Sequence, residues 1–223
     1  MAAALKAAAM AARPPFWTGA KRRLAAADPV LGGIIQHHPR IALVSRGDAF
    51  HTLARSIVGQ QISVRAADAV WARVCGACGE LSPRSVLRRR ATTLRACGLS
   101  QRKAEYLRDL ATNFADRRVD FTTLAQMSDD DVVACLTDIR GIGRWTAEMF
   151  LIFNLQRPDV LPLDDLGLVK AIGRHYLADR TPASLLKGEG RQQVVELARR
   201  WIPYRSVATW YLWRSLEPVP IEY

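Results

Sequence analysis

Between residues 136 and 172, two features have residue types and spacing suited to chemistry. One is Gly141-Ile142-Gly143, a glycine turn between two helical patterns. The other is the pair Asp164-Asp165, about twenty residues downstream at the start of a further helical pattern. Glycine takes positive φ at little cost and has no side chain to block the approach of another backbone. The turn stands beside the start of a helix, where the first N–H groups lack intrahelical partners and form a ready anion site. A DNA phosphate fits there, and an ordinary helical hairpin with a glycine C-cap fits the same residues. Asp164 and Asp165 precede Leu166, Leu168, Val169 and Ile172, so one of them caps that helix. The helix dipole favours the anionic form of such a carboxylate, as an electrostatic stabiliser or general base requires. A phosphate grip and a carboxylate at fixed separation suggest chemistry on a nucleotide.

These groups need helices to position them. Ser128, followed by Asp129, Asp130 and Asp131, reads as a helix N-terminus with an N-cap hydroxyl and acidic first turn. That helix runs through Val132, Val133 and Leu136 to near Arg140, and the next runs from about Thr146 to Gln156. Other periodic apolar runs lie near 20–27, 48–58, 61–75, 83–90, 102–116, 165–177, 191–200 and 204–216, separated by Gly, Pro, Asp or Ser. No run alternates as a strand does, and no repeat recurs at a fixed period. The chain reads as all-α.

A chain of 223 residues makes one domain, or two small ones around a shared cleft, and 49% hydrophobic residues are enough for a real core. The formal charge of +11 and the pI of about 10.2 attract polyanions and make binding salt-sensitive. Nucleic acid is the leading partner and an acidic membrane surface the second. No window of 18 apolar residues exists to span a bilayer. Residues 1–15 form an Ala-rich tail ended by Pro14-Pro15, and the globular part begins near Phe16-Trp17. Cys75 and Cys78 form a CxxC with no second Cys or His pair, and nothing beyond Cys135 can supply an iron–sulfur cluster. No side-chain metal site and no cofactor is expected. Reduced thiols in a cytoplasmic protein are the reading, nucleoid-associated in a bacterium.

Three separated segments resemble one family. SIVGQQISVRAA (56–67), the hairpin with LPLDDLGLVK, and RWIPYRSVATWYLW (200–213) together are similar to the helix-hairpin-helix-Gly/Pro-Asp DNA glycosylases, in particular the DNA-3-methyladenine glycosylase II branch. The resemblance implies two helical subdomains around a cleft. One is a bundle over 48–160 holding the hairpin at about 129–156, and the other joins 16–47 to 161–223. It implies a catalytic aspartate, Asp165, whose Asp-x-x-Leu-x-Lys spacing matches better than that of Asp164, leaving Asp164 as the N-cap. It also implies a base pocket near Trp145 and Tyr204, with Trp201 contributing and with Met149 and Leu166 standing where the family often has aromatics. Trp210 and Trp213 read as core. Gly141, Ile142, Gly143, Arg144 and Thr146 would grip DNA, Arg140 and Arg205 would meet phosphates, and Gln61 would wedge into the duplex. Hairpin carbonyls in this family can hold a monovalent cation.

The implied reaction hydrolyses an N-glycosidic bond of an alkylated base extruded from double-stranded DNA, with a monomeric enzyme and no membrane or obligate protein partner. Family members that also cut the strand carry a lysine where Trp145 stands, so monofunctional release is expected, with preference for cationic methylpurines. Two alternatives stay open: a glycosylase of the same superfamily acting on other damaged bases, and a non-catalytic DNA-binding hairpin module.

Overall fold

A computed structural model describes residues 13–45, 47–178 and 180–216, without the side chain of Val64. All but the last three residues of the Ala-rich tail lie outside the described residues. The helices are α1 (Trp17–Ala27), α2 (Pro29–His37), α3 (Ala49–Gly59), α4 (Val64–Cys78), α5 (Pro83–Leu87), α6 (Ala91–Ala96), α7 (Gln101–Ala115), α8 (Phe121–Gln126), α9 (Asp129–Thr137), α10 (Arg144–Phe153), α11 (Leu166–Tyr176), α12 (Pro182–Leu185), α13 (Gly188–Ala198) and α14 (Arg205–Leu216), with a 3-10 turn at Arg199–Trp201. The all-α expectation holds, with no strand among the described residues. None of these helices is long and apolar enough to cross a membrane.

Two compact units divide the chain: Met1–Ser45 with Leu151–Tyr223, and Arg46–Phe150. The second division falls inside α10, between Phe150 and Leu151.

In the continuous unit, Asp48 starts α3 by accepting the His51 N–H. Phe50, Leu53, Ala54, Ile57 and Val58 then form a stripe at i, i+3, i+4, i+7 and i+8. The stripe packs on α7, whose buried face is Ala104, Leu107, Leu110 and Ala111. Phe50 meets Phe114 edge to face at 5.5 Å. Both helices of the hairpin belong to this unit up to Phe150.

The discontinuous unit is built around α14. Ser206 through Leu212 are all buried, so this helix is enclosed on every side rather than amphipathic. α1, α2 and α11 pack on it. Asp28 ties the two chain segments together. One oxygen caps α2 by accepting the Leu31 N–H at 3.1 Å, and the other accepts Tyr176 Oη–H at 3.0 Å and Trp201 Nε1–H at 2.9 Å. A carboxylate 1% exposed is tolerated because three donors satisfy it.

Candidate functional site

The hairpin is held on α7. Ser128 caps α9 as expected, accepting the Asp131 N–H at 3.2 Å. Buried Ile139 and Ile142 anchor the turn, and Ile142 N–H donates to Ile139 O at 3.0 Å. Gly141 has φ +89°, and a Cβ there would run into the Tyr106 ring. Asp109 accepts the Arg140 N–H at 3.0 Å, Glu105 pairs with the Arg140 guanidinium at 3.4 Å, and Gln60 Nε2 donates to Gly141 O at 2.8 Å. Gly143 is exposed, with open space where a Cβ would be. The first i→i−4 bond of α10 is Ala147 N–H to Gly143 O, so the amides of Arg144, Trp145 and Thr146 form its first turn.

Several expected DNA contacts take a different form here. Ile142 and Thr146 are buried, so only their main-chain groups can serve a ligand. The Arg144 side chain pairs with Glu148 at 3.0 Å yet stays largely exposed. Gln61 is exposed at the tip of the α3–α4 loop with φ +57°. Arg205 is committed elsewhere. Its Nε and Nη2 both donate to Asp159 at 2.8 Å, and its main-chain N–H donates to the same carboxylate at 3.1 Å. This bidentate pair fixes the loop before the aspartates instead of presenting a guanidinium to a phosphate. Of the hairpin carbonyls, Gly141 O accepts from Gln60 Nε2 and Ile139 O from the Ile142 N–H. Among the described residues no cluster of His, Cys, Asp and Glu could hold a metal.

The carboxylate site lies in the discontinuous unit. Asp165 is the N-cap of α11, accepting the Leu168 N–H on Oδ1 at 2.6 Å. This corrects the expectation that Asp164 would cap. Asp164 instead faces outward and pairs with Arg191 at 2.6 Å. The same Oδ1 of Asp165 accepts Trp213 Nε1–H at 2.7 Å, and the carboxylate is 7% exposed. Trp213 stacks on Phe153, centroids 5.8 Å apart and planes at 10°. Gly167 makes room for this arrangement. A Cβ on it would lie 3.0 Å from Trp213 Cδ1 and 3.1 Å from Asp165 Oδ1.

The tryptophans exchange the places expected for them. Trp201 is fully buried, bonded to Asp28 and tilted against Tyr176 at 5.8 Å, so it is core and not pocket. Trp213, read as core, donates to Asp165. Trp210 is buried as expected, edge-on to Trp17 and Phe153. Tyr204 is half-buried and stacked on Phe16 at 6.2 Å. Leu166, beside Asp165, is 63% exposed. In the continuous unit, Trp145 is half-buried and Met149 buried. Gly167 is the signal that could have found the Trp213 contact: glycine in a first helical turn costs about 1 kcal/mol unless close packing needs it.

The sequence signature of HhH-GPD superfamily base excision DNA repair proteins matches residues 54–196. The chain belongs to this family. The HhH-GPD chain is 32% identical over 176 residues to DNA-3-methyladenine glycosylase 1 of Schizosaccharomyces pombe, covering 77% of this chain and 74% of the relative. Its fold is similar to the crystal structure of a Bacillus halodurans DNA-3-methyladenine glycosidase, with TM-score 0.76, 35% identity and 87% of each chain covered. It is also similar to the Schizosaccharomyces pombe 3-methyladenine DNA glycosylase Mag1 in complex with abasic DNA, with TM-score 0.72, 28% identity, and 88% of this chain and 96% of that one covered. The chain spans 66% of the length of a curated Bacillus subtilis relative and 38% of that of a longer Mycobacterium tuberculosis one. The resemblance drawn from the three sequence segments is borne out.

Proposed function

We propose that this chain is a monofunctional DNA glycosylase that extrudes alkylated purines, of the 3-methyladenine and 7-methylguanine type, from duplex DNA and hydrolyses their N-glycosidic bond. The observation that carries this reading is Asp165 Oδ1 held by two N–H donors, one from the first turn of α11 and one from Trp213. A carboxylate so restrained loses little freedom in the reaction. As the base leaves, C1′ of the sugar gains oxocarbenium character, and a fixed negative group stabilises it and orients or deprotonates the attacking water. The names of the relatives agree with that activity.

DNA is the partner. The hairpin amides and the +11 charge suit a phosphate backbone, and the Mag1 structure was solved with abasic DNA. Gly143, with open space above it, permits close backbone approach. Trp145 has no amine to attack C1′, so the product is an abasic site and the strand stays whole. An electron-rich ring attracts a cationic methylpurine by roughly 0.5–2 kcal/mol. Trp145 is such a ring in the continuous unit, half-buried, and the preference is for cationic over neutral bases. The enzyme acts as a monomer in the cytoplasm, on the nucleoid in a bacterium.

The test incubates the protein and an Asp165→Asn variant with methylated duplex DNA and separates released bases by chromatography. The wild type releases methylpurines. The variant keeps DNA affinity and loses nearly all release. A fully active variant would remove Asp165 from the mechanism.

A further inference from the structure

Three residues on one face of α7, at i, i+3 and i+6, hold the hairpin and the α3–α4 loop, whose Gln61 the family resemblance assigns to the duplex gap. Tyr106 fills the space above Gly141, and Asp109 accepts the Arg140 N–H, so the middle and C-terminal parts of this face seat the hairpin. Lys103, one turn earlier, serves the α3–α4 loop. Its ammonium donates to Val58 O at 2.8 Å and to Gln60 O at 2.5 Å, closing the carbonyl end of α3. Desolvation by burial lowers the Lys103 pKa, in keeping with an ammonium that has exchanged water for these carbonyls.

Two observations give this contact a purpose beyond capping. Gln61 follows directly and has φ +57°, a left-handed conformation that a non-glycine residue keeps only when its surroundings hold it. Gln60, whose carbonyl Lys103 grips, also sends its side-chain amide to Gly141 O at 2.8 Å. A single residue, Gln60, thus connects the loop tip, α7 and the hairpin, directly before the exposed Gln61.

We propose that Lys103 is a positioning residue: through Gln60 it sets the register between the hairpin and the Gln61 tip, so that Gln61 enters the duplex gap when the hairpin grips its phosphate. The proposal rests on the DNA-binding reading above and asks more of it, a specific residue on which insertion depends.

The test uses a duplex with a stable abasic analogue and 2-aminopurine opposite it, whose fluorescence changes when the gap is filled. Wild-type binding changes the signal. Lys103→Met and Gln61→Ala each lose most of the change while Kd rises less than about tenfold, the double variant loses no more than either single one, and Lys103→Arg restores it. A Lys103→Met protein with the wild-type response, or a loss that adds to that of Gln61→Ala, overturns the proposal. Should Lys103→Met not fold, Gln60→Ala keeps the carbonyl that Lys103 grips and cuts the side-chain tie to Gly141 O; loss of most of the response is expected, and a wild-type response overturns the proposal that the register runs through Gln60. Base release from methylated duplex by the wild type is followed in parallel. Its absence beside an intact fluorescence response would sink the glycosylase reading and leave the role of Lys103 standing.

Discussion

Trp213 Nε1 and the Leu168 amide converge on one oxygen of Asp165, at 2.7 Å and 2.6 Å. The cap of α11 and the proposed reacting carboxylate are therefore one group. Helix stability and the aim of the carboxylate rest on the same contacts, and replacing Trp213 separates the two.

Trp213→Phe keeps the stack on Phe153 and deletes the donor. A hydrogen bond to a charged group is worth ~1.5–3 kcal/mol, so single-turnover excision should fall roughly ten- to a hundredfold with DNA affinity near that of the wild type. Rapid-quench kinetics on a lesion duplex measure it, and an unchanged rate would show that the contact does not aim the carboxylate.

Gly167→Ala separates activity from stability at the same place. Alanine improves helix propensity by about 1 kcal/mol, yet its Cβ would press on Trp213 Cδ1 and Asp165 Oδ1 at 3.0 and 3.1 Å. Excision should drop while the melting temperature stays level or rises slightly. Paired thermal melts and excision rates decide this, and full activity would mean the indole yields without displacing the carboxylate.

The hairpin glycines should behave oppositely. Gly141→Ala combines positive φ with collision against Tyr106, so the protein should lose on the order of 2 kcal/mol or more of stability. Gly143→Ala meets nothing, so the fold should persist while the methyl group holds a phosphate away and lowers DNA affinity. Urea unfolding and fluorescence anisotropy on one duplex distinguish them. Equal stability of the two variants would contradict the packing described.

Tyr176 predicts an alkaline limit to stability. Burial, and next the negative Asp28 that accepts its hydroxyl, push the phenol above its ordinary 10.0. The fold favours the protonated form. That contribution is whole below pH 10 and is lost as pH rises through the window above it. Tyr176→Phe should be less stable near neutrality by ~1 kcal/mol, because Asp28 loses a donor, and should decline less steeply above pH 10. Denaturant titrations on either side of pH 10 test this, and parallel pH profiles would contradict it.

Local chemistry was legible from the residues themselves. Ser128 and its three aspartates mark a helix start by capping and dipole alone, and the longer apolar stripes declare their helices. No periodic run marks α2, α6, α8 or α12, and α2 carries Gly32 and Gly33, which blur its apolar stripe. The site was harder to read because its decisive partners are far apart in the chain. Trp201 is core on account of Asp28, and Trp213 belongs to the site on account of Asp165, 173 and 48 residues away respectively. Arg205 reads as a surface cation until Asp159, 46 residues away, accepts from two of its guanidinium nitrogens. Adjacent Asp164 and Asp165 carry equal local propensity for the cap, and tertiary packing chooses between them.

Asp28 also bears on how the protein is made. Trp17 finds its ring partners in Trp210 and Tyr211, and Asp28 finds its side-chain donors in Tyr176 and Trp201, each 148 residues or more further along the chain. At about 5–20 residues per second, the first helices wait on the order of ten seconds for those partners. The stretch from Arg46 to Phe150 emerges in the meantime with its own core complete. A nascent chain arrested before α14 would leave the ribosome with Trp17, Leu24 and Leu31 uncovered, a ready substrate for chaperones.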